Sequence, residues 1–163
     1  MKKILFVCTG NTCRSCMAEG IFKHYVRADI QLQEHFTAAS AGLSACEGDN
    51  ASSNAIAALR DGWGIDLNSH CARGVRESDI KEAYLVLTMT RAHKDALVSM
   101  YPEHKGKIFT LKEYAYAKNV DDVIYEYNYS FDVPDPYGMS LQTYRCCAED
   151  IEAAVKTIID KLK

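Results

Sequence analysis

The sequence predicts an α/β fold, a three-layer open sandwich in which a four-stranded parallel sheet is covered by helices on both faces. Two observations carry this. Short apolar runs, several rich in β-branched residues, alternate along the chain with stretches whose apolar residues recur every three or four positions. No Pro/Gly/Ser-rich linker, repeat or low-complexity segment interrupts the alternation, so residues 1–163 read as one domain. Parallel strands joined through helices need right-handed crossovers, and those crossovers cover the sheet from both sides.

Ile4–Val7 is a continuous apolar run suited to a central strand buried on both faces. From Arg14 to about Ala28, Met17, Ile21, Phe22, Tyr25 and Val26 fall on one face of a helix. Phe36–Ala41 reads as a second strand stopped by Gly42. Ser53 is a candidate cap for a helix over Ala55–Arg60, with Gly62 and Gly64 ending it. Tyr84–Thr88 forms a third strand, a helix runs from about Arg91 to Met100 before Pro102, and Lys107–Thr110 is a short fourth strand. Ser140 caps a long last helix that carries Leu141, Tyr144, Ala148, Ile151, Val155, Ile158 and Leu162 on one face.

A chain of 163 residues can bury a sizeable core without disulfide staples. Its net charge of −3 argues against a general nucleic-acid or membrane-surface binder. No run reaches the ~18 apolar residues of a membrane span, and MKKILFVC is too short to act as a signal peptide. Seven cysteines, an odd number, point to reduced thiols in a cytoplasmic protein. Outside residues 8–16 they read as small buried or half-buried hydrophobes, Cys146 and Cys147 above all.

The chemistry concentrates in the loop after the first strand, the usual place for a ligand in an open α/β sheet. There Cys8 and Arg14 stand at opposite ends of a short polar loop running into a helix. Backbone N–H groups at such a turn converge on an anion, and together with Arg14 they favour the thiolate of Cys8. Arg14 offers a planar fork for two phosphoryl oxygens. Gly10 permits close backbone approach, Asn11 tolerates positive φ, and Ser15 can donate to the Cys8 sulfur. The leaving group needs a proton from elsewhere. Asp135, stiffened between Pro134 and Pro136, is the best candidate, with Tyr137 beside it as an aromatic wall.

Cys8-Thr9-Gly10-Asn11-Thr12-Cys13-Arg14-Ser15, Met17-Ala18-Glu19, Ser40-Ala41-Gly42, Gly64-Ile65-Asp66 with His70 after it, and Asp135-Pro136-Tyr137 together resemble the low-molecular-weight protein tyrosine phosphatases. The resemblance runs in order over nearly the whole chain. It implies a cysteinyl-phosphate mechanism with no metal or other cofactor: Cys8 as nucleophile, Arg14 as phosphate clamp, Asp135 as acid and then base. It further implies phosphorylated proteins as substrates, inorganic phosphate as product and a monomeric enzyme. Asn11, Ser15, Ser40 and His70 match the network that holds the loop. Cys13 matches the family's second loop cysteine, which can form a disulfide with the nucleophile. Two positions depart from the pattern: Cys16 replaces a usual proline and adds a third thiol, a further redox candidate that could pair with Cys8 or Cys13, and Cys46 stands where many relatives have an aromatic wall residue.

Thr12 and the segment Phe109–Tyr114 (FTLKEY) resemble the protein arginine phosphatase branch, which tilts the expected substrate from phosphotyrosine toward phosphoarginine. Two other classes compete. The loop also resembles thioredoxin-coupled arsenate reductases, but those need a redox cysteine pair after the third strand, and no cysteine lies from Ala72 to Arg145. Cys8, Cys13, Cys16 and Cys46 copy the spacing of a plant-type [2Fe–2S] ferredoxin, yet strand, loop and helix are the wrong setting for a cluster. His93 and His104 read as solvated or capping residues, and Tyr125, Tyr127 and Tyr129 as a packing or loop-edge stretch.

Overall fold

The computed structural model describes residues 1–118 and 130–163. The stretch Tyr125–Tyr129, with Asp121, Asp122 and Glu126, lies outside the described residues. Four strands, β1 (Lys2–Cys8), β2 (Phe36–Gly42), β3 (Leu85–Thr88) and β4 (Ile108–Thr110), form one sheet in the order β2-β1-β3-β4. All three pairings are parallel, with Ile4 opposite both Ala38 and Leu85.

β1 is central, and its last five residues are all buried. Its alternate side chains feed separate layers. Ile4, Phe6 and Cys8 join a core with helices α1 (Arg14–Arg27), α3 (Ser53–Trp63), α6 (Leu111–Tyr116) and α7 (Leu141–Leu162). Leu5 and Val7 join a smaller core with α4 (Glu77–Glu82) and α5 (Arg91–Met100), through Ile80 and Leu97. A further helix, α2 (Ile30–His35), leads into β2. The sandwich is therefore the one that the alternation of strands and helices implies.

Some boundaries differ from the sequence reading. The cap of α3 is Ser52, whose hydroxyl accepts from the Ala55 amide, rather than Ser53. Gly62 lies inside that helix. Only Gly64 ends it, in the left-handed conformation (φ 65°) that closes helices cheaply when no Cβ is present. Helices α2, α4 and α6, six residues each, are additional to the expected elements. α6 explains FTLKEY: Thr110 and Glu113 form a reciprocal capping box, and Glu113 also holds Lys94 of α5 at 2.8 Å. None of this segment lines the cleft that Cys8, Arg14 and Asp135 share.

β2 passes so close to the loop after β1 that a Cβ on Gly42 would sit 2.5 Å from the Thr9 carbonyl oxygen. Past the strand end, Leu43 N–H donates to Cys8 C=O and Ser44 N–H to Thr9 C=O, so the chain keeps tracking the loop. These contacts set the loop at the carboxyl edge of the sheet.

Candidate active site

α1 starts at Arg14, directly after the loop, with Cys13 as an N-cap that makes no side-chain cap bond, so the positive end of the helix dipole abuts the loop. Inside the curl of that loop the Cys8 sulfur lies 2.9 Å from Ser15 Oγ and accepts from the Asn11 amide at 3.3 Å. Cys8 and Ser15 are both buried.

Asn11 is the brace. Its φ of 57° is the left-handed conformation that asparagine accepts more readily than most residues. It is wholly buried, and every polar group of its side chain is used. Nδ2 donates to Ser15 Oγ and Ser40 Oγ, each at 2.9 Å, while Oδ1 accepts from the Arg73 amide at 3.0 Å. Ser40 in turn donates to Glu19 at 2.5 Å, and His70 Nε2 meets the Asn11 carbonyl at 2.6 Å. Satisfied buried polar groups of this kind fix one geometry, since breaking any bond strands a desolvated partner.

Arg14 is buried, and its Nη1 donates to the Val133 carbonyl at 3.0 Å. Its Nη2 lies 3.5 Å from Asp135 Oδ2. The Asp135 carboxyl is half exposed, and its other oxygen accepts from the Tyr137 amide at 3.1 Å. A cleft of about 280 Å³ is lined by Cys8, Thr9, Gly10, Thr12, Cys13, Arg14, Asp135 and Tyr137. Ser44, Cys46 and Asp49 make up the remaining wall. Sulfur, guanidinium and carboxyl thus face one space large enough for a phosphoryl group and the side chain bearing it.

Cys46 and Tyr137 line this cleft as wall residues, and Ser40 and His70 stand behind the loop. The Cys13 thiol reaches the Tyr144 hydroxyl at 3.2 Å and Ser52 Oγ at 3.4 Å. Burial, then the bond to Cys13, pushes the Tyr144 phenol up to about 12. Cys16 donates to the Cys13 carbonyl and faces a separate cleft behind the loop. Burial, reinforced by the neighbouring Cys8 and Cys13, pushes its thiol well above the usual range. Cys147 is buried below Pro134, and burial raises its thiol to about 12. Of the cysteines outside residues 8–16, however, Cys46, Cys71 and Cys146 are exposed, which corrects the expectation of buried hydrophobes. All seven are free thiols, and no group of three or more His, Cys, Asp or Glu among the described residues could hold a metal ion.

His93 departs most from expectation. It is neither solvated nor a cap: it is buried, and its Nε2 meets Thr9 Oγ1 at 2.8 Å. Burial, then the nearby Arg14 charge, lowers its pKa to about 4, so the imidazole is neutral where the loop is held. Among the described residues its other nitrogen has no hydrogen-bond partner. The capping residue of that turn is Thr90, which accepts from the His93 amide. No local spacing links residue 93 to residue 9; only the β1–β3 pairing brings them together.

Residues 3–163 match the family model described as low molecular weight phosphotyrosine protein phosphatase. The chain belongs to that family. It is 34% identical over 161 residues to a protein-arginine-phosphatase of Geobacillus stearothermophilus, covering 99% of this chain and 96% of that protein. It is 35% identical over 161 residues, with the same coverage, to a low molecular weight protein-tyrosine-phosphatase of Staphylococcus epidermidis. Among solved structures, the low molecular weight protein tyrosine phosphatase from T. tengcongensis superposes with a TM-score of 0.85 at 45% identity, covering 99% of both chains. The arginine phosphatase from Geobacillus stearothermophilus gives 0.84 at 33% identity, covering 99% of this chain and 93% of that one. No helix among the described residues is long and apolar enough to cross a membrane.

Proposed function

We propose that this chain is a protein phosphatase that removes phosphate from phosphorylated side chains through a cysteinyl-phosphate at Cys8, acting on phosphotyrosine and phosphoarginine with phosphoarginine preferred. The observation that carries this reading is the Cys8 sulfur held by Ser15 and the Asn11 amide in one cleft with Arg14 and Asp135. Family membership and relatives named for both substrates support it.

The Cys8 thiolate attacks phosphorus as the bond to the leaving oxygen or nitrogen breaks. Protonated Asp135, at the cleft mouth, supplies that atom with its proton. The donors of Arg14 not engaged by Val133 hold the equatorial phosphoryl oxygens, whose negative charge the loop amides also face. Asp135, now a carboxylate, takes a proton from water as water attacks the phosphocysteine. The S–P bond breaks, and Ser15 steadies the departing thiolate. Inorganic phosphate leaves.

Kinetics on phosphoarginine and phosphotyrosine peptides, with wild type and Cys8→Ser, test the reading. Wild type is expected to turn over both, with the higher kcat/KM on phosphoarginine. Cys8→Ser should lower turnover of both by at least ~10⁴-fold while still binding phosphate. Retained turnover in that variant would overturn the mechanism.

A further inference from the structure

We infer that Asp49 is a substrate-reading residue, a carboxylate at the cleft mouth that pairs with the guanidinium of a phosphoarginine side chain. The inference rests on the phosphatase reading above and deepens its substrate class. It starts from the composition of the walls. Among the described residues, Tyr137 is the one aromatic on the cleft surface, and it is largely exposed. Thr12, Ser44, Cys46 and Asp49 also line the cleft, and they give a phenol ring little apolar surface to lie against. They suit a planar cation with several N–H donors much better.

The placement of Asp49 is fixed by its backbone. The Asp49 amide donates to the Cys46 carbonyl at 3.2 Å, and its carbonyl accepts from the Ala72 amide at 2.8 Å. On either side, Gly48 N–H donates to Ala72 C=O and Asn50 bridges to Cys71. The loop 46–50 is thereby tied to the segment that also delivers the Arg73 amide to Asn11. The two acids of this loop differ in use. The Glu47 carboxylate accepts from the Gly74 amide at 2.9 Å and braces the loop. Among the described residues the Asp49 carboxylate has no hydrogen-bond or ion-pair partner, although its residue lines the cleft. Asp135, which lines the same cleft, is already engaged by Arg14 and the Tyr137 amide.

A phosphoarginine entering phosphate-first leaves its guanidinium at the level of the mouth, with N–H groups facing outward. A carboxylate there accepts charge-assisted hydrogen bonds that an aryl phosphate cannot return. Toward phosphotyrosine the same charge offers no hydrogen bond, while its mild repulsion of the phosphoryl group falls on both substrates alike. Asp49 therefore separates the two substrates rather than assisting both.

The test compares wild type, Asp49→Asn and Asp49→Glu on phosphoarginine and phosphotyrosine peptides of one sequence. Asp49→Asn keeps the shape and removes the charge. It should lower kcat/KM on phosphoarginine about tenfold, a modest loss because the site is open to solvent, and leave phosphotyrosine unchanged or slightly faster. Asp49→Glu should restore part of the phosphoarginine rate. An equal loss on both substrates, as from a disordered loop, overturns the inference, and so does an unchanged phosphoarginine rate. If wild type prefers phosphoarginine and Asp49→Asn keeps that ratio, only the role of Asp49 fails. If wild type cleaves phosphotyrosine and not phosphoarginine, the substrate reading fails with it.

Discussion

The floor and the rim of the cleft are built on different terms. On the floor, Cys8, Asn11, Arg14 and Ser15 are buried, and Asn11 alone ties Ser15, Ser40 and the Arg73 amide into one network. At the rim, Asp49 and Tyr137 are exposed, and among the described residues their side chains have no hydrogen-bond or ion-pair partner. Chemistry on a phosphoryl group demands fixed positions, so the floor carries the cost of burying polar groups and satisfying each one. Choice among side chains that carry phosphate needs only different chemistry at the mouth, where a substitution disturbs little else. On this division, changes to the floor lower all activities together, and changes to the rim alter their ratio.

Asp135 tests the boundary, because it belongs to the rim by exposure and to the floor by its contact with Arg14. Asp135→Ala should lower kcat by ~10²–10⁴ for leaving groups that depart only when protonated. For p-nitrophenyl phosphate, whose leaving group departs readily as an anion, the loss should be much smaller. Steady-state rates across a series of leaving groups measure this. Equal losses across the series would move Asp135 from proton donor to a mere support for Arg14.

His93 tests the floor from behind. Its pKa of about 4 lies below the ordinary histidine value of 6.5, burial being the first cause and the Arg14 charge the second, with Asp132 and Asp135 pulling the other way. Between those two values the unfolded chain binds a proton that the folded chain does not, so acid draws the equilibrium toward unfolding. The contribution is fully present above pH ~6.5 and is lost as pH falls to ~4, amounting to at most about 3.5 kcal/mol at ~1.4 kcal/mol per unit. His93→Gln keeps a hydrogen-bonding partner for Thr9 and cannot take up that proton. Denaturant unfolding from pH 7.5 to 4 should therefore show wild type losing stability relative to the variant across this window. Parallel profiles would mean that the imidazole is not neutral by constraint.

How much of this was legible in the letters follows from range. The stretch Cys8–Ser15 is local: seven consecutive steps of chain hold nucleophile, brace and clamp candidates, and the fold preserves their proximity. Asp135 was readable because two prolines mark a stiff loop, although its distance to Arg14 required the fold. His93, Tyr144 and the Arg73 amide reach the loop only through tertiary packing, and no spacing announces them. The helices α2 and α4 are too short for a 3.6-residue period to show. α6 is the exception: T-L-K-E at 110–113 carries a capping-box signature, and a segment that suggested substrate choice is held in place by helix capping. The exposed Cys46, Cys71 and Cys146 show how weakly residue type alone predicts burial when a cysteine sits on a loop or an outward helix face.

Thr12 is the subtlest rim position, since its backbone belongs to the floor: its carbonyl accepts from the Ser52 amide at 2.9 Å, while its side chain lines the cleft. Its hydroxyl lies 3.7 Å from the Cys13 sulfur, too long for a strong bond, so it remains available to a substrate N–H or to water. Thr12→Ile replaces that hydroxyl with an apolar surface for an aromatic ring. The expected result is a severalfold fall in kcat/KM for phosphoarginine with a rise for phosphotyrosine, an effect of about 1 kcal/mol, the typical worth of one hydrogen bond. Peptide kinetics on both substrates check it, with the Cys8-dependent rate on p-nitrophenyl phosphate as a measure of floor integrity. A change in the ratio with that rate preserved would place substrate choice in the rim even where the rim is one side chain of the phosphate loop. A fall in all three rates would instead mean that the bond from Ser52 cannot hold the loop once residue 12 carries the bulkier apolar side chain, and that floor and rim are not separable at this position.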